Sequence, residues 1–145
     1  MIEAQTLYSL VLESYLLLDS SDRDFFQQYG LSSTRYYILV HVAQNAGLSL
    51  SELSELLFCT KGNTTRIIKS MEADGYITRE VDAHDNRLLC HYLTPAGTAL
   101  LAEVSTAYNI FNQARFAGLS LSQRGTLQQN LQALNSHLRE GLSQD

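Results

Sequence analysis

The chain is poor in residues that interrupt or cross-link a protein. It has one proline and eight glycines among 145 residues, which predicts a mostly helical fold with few breaks. Its two cysteines, Cys59 and Cys90, have neither the spacing of a disulfide framework nor that of a metal site. No apolar run approaches the roughly 18 residues of a membrane span, and the N-terminus lacks the basic start of a signal peptide. We therefore expect a cytoplasmic protein with no membrane span, metal site or cofactor.

The sequence also lacks the motifs of a catalytic site. Its carboxylates are scattered, no Ser/His/Asp or Cys/His arrangement stands in an expected motif, and no phosphate-binding loop is present. These absences argue against an enzyme. With 45% apolar residues, the chain is nevertheless long enough for one domain with a full core.

The net charge of −5 at pH 7 is unevenly distributed. Residues 61–91 hold five basic and five acidic side chains, whereas the remainder holds five basic and ten acidic ones. The segment 61–91 is therefore neutral and the rest is acidic. A neutral segment with a few outward-facing cations can still bind phosphates, with a modest and strongly salt-dependent affinity.

Residues 49–95 carry the strongest pattern in the sequence. They contain two short helical patterns separated by a corner, then a glycine stop and two strand patterns joined by a polar loop. These elements are Ser51–Phe58, the corner Cys59–Thr60, Lys61–Asp74, Gly75, Tyr76–Val81, the loop 82–87 and Leu88–Leu93. The order predicts a winged helix-turn-helix, whose second helix enters the major groove of DNA.

Helix starts and the apolar stripe support these boundaries. Ser49 and Glu52 have the spacing of a capping box, and Leu48–Leu50 is a candidate short strand bridge. Thr60 is expected to cap the second helix, which would leave its backbone amides near a phosphate. The inward stripe of that helix is predicted to be Thr64, Ile67, Ile68 and Met71.

Long helices are predicted on either side of this segment. Ile2–Leu18 is apolar over so much of its circumference that we expect it to be buried on two sides, one of them against another subunit. Residues 19–22 are expected to interrupt this first helix. Ser32 or Ser33 is expected to cap a helix at 34–44, and Thr94 one at 96–116. The last helix, 122–142, has a heptad-like seam that requires a partner helix, formed by Leu127, Leu131, Leu134 and Leu138.

The predicted fold class is therefore mainly α with a small β hairpin. We expect residues 1–30 to form an N-terminal dimerisation region, residues 31–95 a DNA-binding winged helix-turn-helix, and residues 96–145 the C-terminal dimerisation helices. A homodimer follows from this division.

Three stretches resemble the MarR family of transcription regulators. They are LSELSELLFCTKGNTTRIIKSMEADGYITR, the wing motif D-N-R at Asp85–Arg87, and LTPAG at Leu93–Gly97. The resemblance implies a homodimer joined by its terminal helices, which binds a palindromic operator in double-stranded DNA, often as a repressor. It also implies release by a small phenolic ligand or by oxidation. Asn86 stands where many relatives have a second basic residue, and the first helix lacks the cysteine of organic-peroxide sensors.

Candidate DNA contacts fall into three groups. The first two turns of the second helix would contact bases, polar groups nearby would contact the DNA backbone, and the wing tip would enter a narrow minor groove. The base-contacting group is Lys61, Asn63, Thr65 and Arg66; the backbone group is Thr34, Arg35, Thr60, Lys69 and Arg79; and the wing pair is Asp85 and Arg87. The alternatives are a solvated helix face and an exposed salt bridge worth little.

Two further sites follow from the side chains present. Phenolic hydroxyls and an imidazole could hold an aromatic carboxylate, and this candidate pocket consists of Tyr15, Tyr36, Tyr37 and His41. Tyrosines at helical spacing are more often core residues. Cys59 precedes a helix start, where a thiol can become reactive, although a small side chain is also needed at that corner. A winged-helix module that binds proteins rather than DNA is the alternative function, because the overall charge is acidic.

Overall fold

The computed structural model describes residues 1–143. Its elements, in chain order, are α1 (Ala4–Gln27), α2 (Ser33–Gln44), β1 (Leu48–Ser49), α3 (Leu50–Leu57), α4 (Lys61–Ala73), β2 (Ile77–Val81), β3 (Leu89–Leu93), α5 (Pro95–Phe116) and α6 (Leu121–Leu142). The mainly helical fold with a small hairpin, predicted from the sequence, is confirmed. The chain divides into two compact units, Met1–Ser105 and a second unit that starts at Thr106.

The first helix is longer than predicted. Because α1 is continuous from Ala4 to Gln27, the expected interruption at residues 19–22 was wrong. The polar side chains there bond within the helix instead: the Ser21 hydroxyl donates to the carbonyl oxygen of Leu18 at 3.0 Å, and Arg23 lies 3.6 Å from Asp19 one turn away. Such local pairs let polar residues continue a helix.

Helix caps set the boundaries of the winged-helix segment. Ser49 and Glu52 form the predicted capping box, and Thr60 accepts a hydrogen bond from the Asn63 amide. Ser32, the first of the two candidates, caps α2 by accepting from the Arg35 amide. Gly75 has a φ of +83°, the left-handed conformation that the sequence predicted after α4.

The wing is a sheet of three short antiparallel strands in the order β1-β3-β2. β2 and β3 pair along their whole length, from Ile77 opposite Leu93 to Val81 opposite Leu89. β1 confirms the predicted bridge by pairing with the middle of β3. The buried ring of His91 reinforces this edge, because its Nδ1 lies 2.8 Å from the carbonyl oxygen of Leu48 and must donate to it.

The L-T-x-x-G stretch joins the wing to α5. The Thr94 hydroxyl donates to the carbonyl oxygen of Gly75 at 2.5 Å and accepts from the amide of Gly97 at 3.1 Å, which caps α5 as expected. A Cβ on Gly97 would lie 2.2 Å from the carbonyl oxygen of Tyr76. Only glycine therefore permits this close approach of α5 to the chain after α4.

Burial on α3 and α4 is narrower than their apolar spacing predicts, which for α3 is the i, i+3, i+4 set Leu53, Leu56 and Leu57. On α4, Thr64, Ile68 and Met71 are buried, whereas Ile67 is half-buried. On α3, Leu53 is buried but Leu56 is exposed. The inward face of α3 includes Ser54, whose hydroxyl is satisfied by the carbonyl oxygen of Leu50 at 2.8 Å. A small hydroxyl residue can thus replace a leucine where helices pack closely.

The corner between α3 and α4 begins with a strained residue. Phe58 has a φ of +52°, and its side chain is 73% exposed. The left-handed conformation is unfavourable for a residue with a Cβ by roughly 1–2 kcal/mol. The exposed ring recovers little of this by packing, so the free energy of unfolding is reduced at this position.

Replacing Phe58 by glycine should therefore stabilise the chain. Relief of the backbone strain outweighs the greater entropy of glycine in the unfolded state, and we expect the free energy of unfolding to rise by about 1 kcal/mol. Denaturant unfolding measures this change. The control is Glu55→Gly, an exposed position inside α3, which should destabilise by a similar amount. A loss of stability in both variants would contradict the strain at Phe58.

Candidate nucleic-acid interface

The outer face of α4 combines a capped N-terminus with positive charge. Lys61, Arg66 and Lys69 are exposed, and no acidic residue occurs between positions 61 and 70. Thr60 caps the helix through the Asn63 amide at 3.2 Å, so the remaining first-turn amides point outward with their partial positive charge. This end of α4 has the chemistry of an anion-binding surface.

The candidate base-contacting residues interact with one another. Arg66 donates to the side-chain oxygen of Asn63 at 2.7 Å, so the amide holds the guanidinium one turn closer to the helix start. The Thr65 hydroxyl donates to the carbonyl oxygen of Lys61 at 2.7 Å. Within residues 1–143, Lys61 and Lys69 have no ion-pair partner. The outer face of α4 therefore presents Lys61, Lys69 and the oriented Arg66 to solvent.

Two of the candidate backbone contacts are already paired within the chain. Arg35 is only 18% exposed; its Nη2 lies 2.9 Å from the Asp74 carboxylate and also contacts the Ser70 hydroxyl. Arg79 Nε lies 2.6 Å from Glu72 Oε1. These pairs tie α2 and β2 to the second half of α4. Neither Glu72 nor Asp74 was predicted as a partner from the sequence. The signal for both is their position at the end of a helix whose other charged residues are basic.

The wing tip presents one arginine, Arg87, whose guanidinium pairs with the Asp85 carboxylate. Arg87 is 91% exposed. Asp85 Oδ1 accepts from Arg87 Nε at 3.1 Å and from the Arg87 backbone amide at 3.0 Å, while Nη2 lies 3.5 Å from Oδ2. The carboxylate therefore orients both the backbone and the side chain of Arg87. Thr34, the last candidate, is half-buried in the first turn of α2.

Comparison with known proteins shows which family this arrangement resembles. The sequence profile of the MarR family matches residues 29–88. A MarR-like transcription regulator from Bacillus cereus has the same fold, with a TM-score of 0.83, 27% identity and coverage of 92% of this chain and 96% of that one. The chain therefore resembles the MarR family in sequence over residues 29–88 and in fold over most of its length. The matching MarR-type relatives are transcription regulators rather than enzymes.

Two further MarR-type matches define how far the likeness extends. The transcriptional regulator TtmR of Methylorubrum extorquens is 27% identical over 116 residues, which is 80% of this chain and 58% of that protein. A cysteine-to-serine mutant of Escherichia coli MarR, solved with operator DNA, has a TM-score of 0.82 at 18% identity, covering 89% of this chain and 93% of that one. The chain spans about 58–63% of the length of the curated relatives it matches.

The candidate ligand residues of this chain are spread between core and surface. Tyr36 is buried and stacks on Phe26 at 4.8 Å, and its hydroxyl lies 3.1 Å from that of Ser105. Tyr37 is partly exposed and lies near His41, with 6.5 Å between ring centroids, whereas Tyr15 is exposed on α1. Burial lowers the pKa of His41, which favours the uncharged imidazole at neutral pH.

The two cysteines differ in their surroundings. Cys59 is half-buried, and its thiol donates to the carbonyl oxygen of Leu57 at 3.4 Å. Burial, and then the charge of Asp82, raise the pKa of the Cys90 thiol and keep it protonated. Among the residues that the structure describes, no cluster of His, Cys, Asp and Glu could hold a metal ion. None of the helices within residues 1–143 is both long and apolar enough to cross a membrane.

Gly62, at the second position of α4, allows a direct test of close approach. A Cβ there would meet nothing within 4 Å, so the fold alone does not require glycine. Gly62→Ala should raise the free energy of unfolding by about 0.5–1 kcal/mol because alanine favours the helix. If DNA contacts this turn, the same change should weaken DNA binding roughly tenfold, which is measured by fluorescence anisotropy.

Gly125→Ala in α6 is the matched control. This glycine is also helical, and a Cβ there also meets nothing within 4 Å. It should give a similar gain in stability with unchanged DNA affinity. Equal affinities of the two variants for DNA would show that no DNA backbone approaches α4 at Gly62.

Proposed function

We propose that this chain is a dimeric, sequence-specific DNA-binding transcription regulator that acts in the cytoplasm, as a repressor at a palindromic operator. α4 would enter the major groove, with Lys61, Asn63, Thr65 and Arg66 toward the bases. Arg87 would enter the adjacent minor groove. The operator complex of the E. coli relative supports this arrangement by likeness of fold.

One observation carries the proposal: the outer face of α4 holds three exposed cations and no acid over residues 61–70, although the whole chain has a charge of −5. A helix that merely covered a core would not need this segregation. Cations separated from acids in this way are typical of a surface that binds phosphates and base edges. A protein-binding winged helix would not require cations placed at the first two turns of this helix.

The internal ion pairs narrow the set of basic residues that could contact DNA. Since Arg35 and Arg79 are held by Asp74 and Glu72, a phosphate would have to share them with a carboxylate. Among the described residues, Lys61 and Lys69 have no such competitor. We therefore propose that the lysines contribute most of the nonspecific phosphate attraction, and that the arginine pairs chiefly fix α4.

Arg66 provides the test of base recognition. The DNA site is first selected from the region upstream of the gene that encodes this chain, by mobility shift at fixed salt. Arg66→Ala should then weaken binding to that site by about 1–3 kcal/mol and relax the preference at one base pair. Binding to random DNA of equal length should change much less.

Lys69→Ala is the companion variant, because it removes an exposed cation one turn further along α4. It should weaken specific and random DNA alike and lower the salt dependence by about one counterion. Equal losses on both DNAs for Arg66→Ala would make Arg66 a phosphate contact. If the wild-type chain selects no DNA at all, the protein-binding alternative is favoured.

The apolar surface of the terminal helices supports the dimer. On α1, the apolar side chains from Leu7 to Leu17 are exposed in the single chain. On α6, the predicted seam from Leu127 to Leu138 is exposed as well. A helix that exposes this much apolar surface is rare on a monomer. A dimer would also place two copies of α4 at half-sites about 34–36 Å apart, as a palindrome requires.

Leu131 tests this assembly. It is 41% exposed and lines an open groove of about 540 Å³ between α5 and α6. Leu131→Asp should convert a dimer to monomers or unfold the chain, because a charge cannot be buried there without a partner. Light scattering at micromolar concentration measures the mass. Gln129→Asp, on the opposite face of α6, should leave the mass unchanged; a wild-type monomer at that concentration would refute the dimer.

Release by a small aromatic acid remains part of the proposal, with Tyr15, Tyr36, Tyr37 and His41 as its pocket. The ligand would have to bind one arrangement of the dimer more tightly than another, and DNA would weaken the ligand by the same factor that the ligand weakens DNA. Because burial favours the uncharged imidazole of His41, we propose that binding depends mainly on hydrogen bonds and ring contacts. Cys59 is proposed to be a packing residue, not the main switch.

A further inference from the structure

The wing loop, residues 82–87, has no obvious source of rigidity in its composition. It contains neither proline nor glycine, and Ala83, His84, Asn86 and Arg87 are all exposed. Such a loop gains little from burial. Any order in its backbone must therefore come from hydrogen bonds made by its own polar side chains.

Asp82 makes the bonds that fold this loop. Its Oδ1 accepts from the backbone amides of His84 at 2.8 Å and Asp85 at 2.9 Å. Its own amide donates to the carbonyl oxygen of Leu88 at 2.9 Å, which closes the loop at the strand ends. Oδ2 lies 3.7 Å from the thiol of Cys90, a buried residue of β3. One carboxylate thus connects the loop backbone to the sheet.

These contacts continue to the wing arginine. Asp82 fixes the amide of Asp85, and Asp85 in turn accepts from both the amide and the Nε of Arg87. Without the bonds from Asp82, Asp85 and Arg87 would still pair, but the pair would move with a loose loop. Arg87 would then lose orientation that must be restored on binding.

The charge of Asp82 points to the same role. A carboxylate beside a DNA-contacting arginine repels phosphate and by itself weakens binding. The amide of His84, and then that of Asp85, lower the pKa of Asp82 and keep it ionised. We propose that Asp82 is a positioning residue, whose hydrogen bonds hold the wing so that Arg87 enters the minor groove in one orientation; this rests on the DNA binding proposed above.

Three single variants separate positioning from charge. Asp82→Ala removes the accepting bonds and a negative charge, and we expect it to weaken binding to the selected DNA site about tenfold. Asp82→Asn removes the charge but retains an oxygen that can accept both amides, so its affinity should be within twofold of wild type or tighter. Glu80→Ala removes an exposed negative charge from the same hairpin and should not weaken binding.

A double-mutant cycle with Arg87→Ala tests the pathway. If Asp82 acts through Arg87, Asp82→Ala should cause no further loss of DNA affinity in the Arg87→Ala background. The midpoint of thermal unfolding of the Asp82→Ala single variant should stay close to that of wild type. Unchanged or tighter binding by Asp82→Ala would overturn the inference, as would an equal loss with and without Arg87. Failure of the wild-type chain to select any DNA would instead overturn the proposed function, and the inference with it.

Discussion

Contacts at both ends of α4 fix its position, and the exposure of the residues around it depends on that position. Thr60 caps its start, Thr64, Ile68 and Met71 fill the core beneath it, and its second half is tied to α2 and β2 by arginine pairs. Ion pairs near the surface are individually worth little. Together with the buried stripe, they fix which face of the helix points outward.

The same constraint explains how a neutral segment can present a positive surface. The acids near the end of α4 are paired with Arg35 and Arg79, and the two aspartates of the wing loop bind backbone amides and Arg87. Four of the five acids in residues 61–91 are therefore placed at structural contacts, while Lys61 and Arg66 in the first turns of α4 are exposed to solvent. Local placement, rather than net charge, determines the character of this face.

The wing depends on comparable local contacts. Its strands are fixed by a full antiparallel ladder and by the buried His91, whereas its loop depends on two aspartates. The L-T-x-x-G stretch then links the wing to α5, because Gly97 allows the helix to approach the backbone of Tyr76. The L-T-x-x-G motif therefore has a structural role, because its glycine permits this close packing.

Sequence periodicity, caps and turn residues determined the order and approximate bounds of the elements, because these signals act over a few residues. They predicted the capping box of α3, the left-handed Gly75 and the Asp85–Arg87 pair. They did not predict the continuous α1, the exposed Leu56, or the partners of Arg35 and Arg79. Those outcomes were decided by the tertiary structure. The arginine partners depend on which residues distant in sequence, such as Arg35 and Asp74, come within hydrogen-bond distance. The burial of Leu56 depends on how far neighbouring elements cover that face of α3.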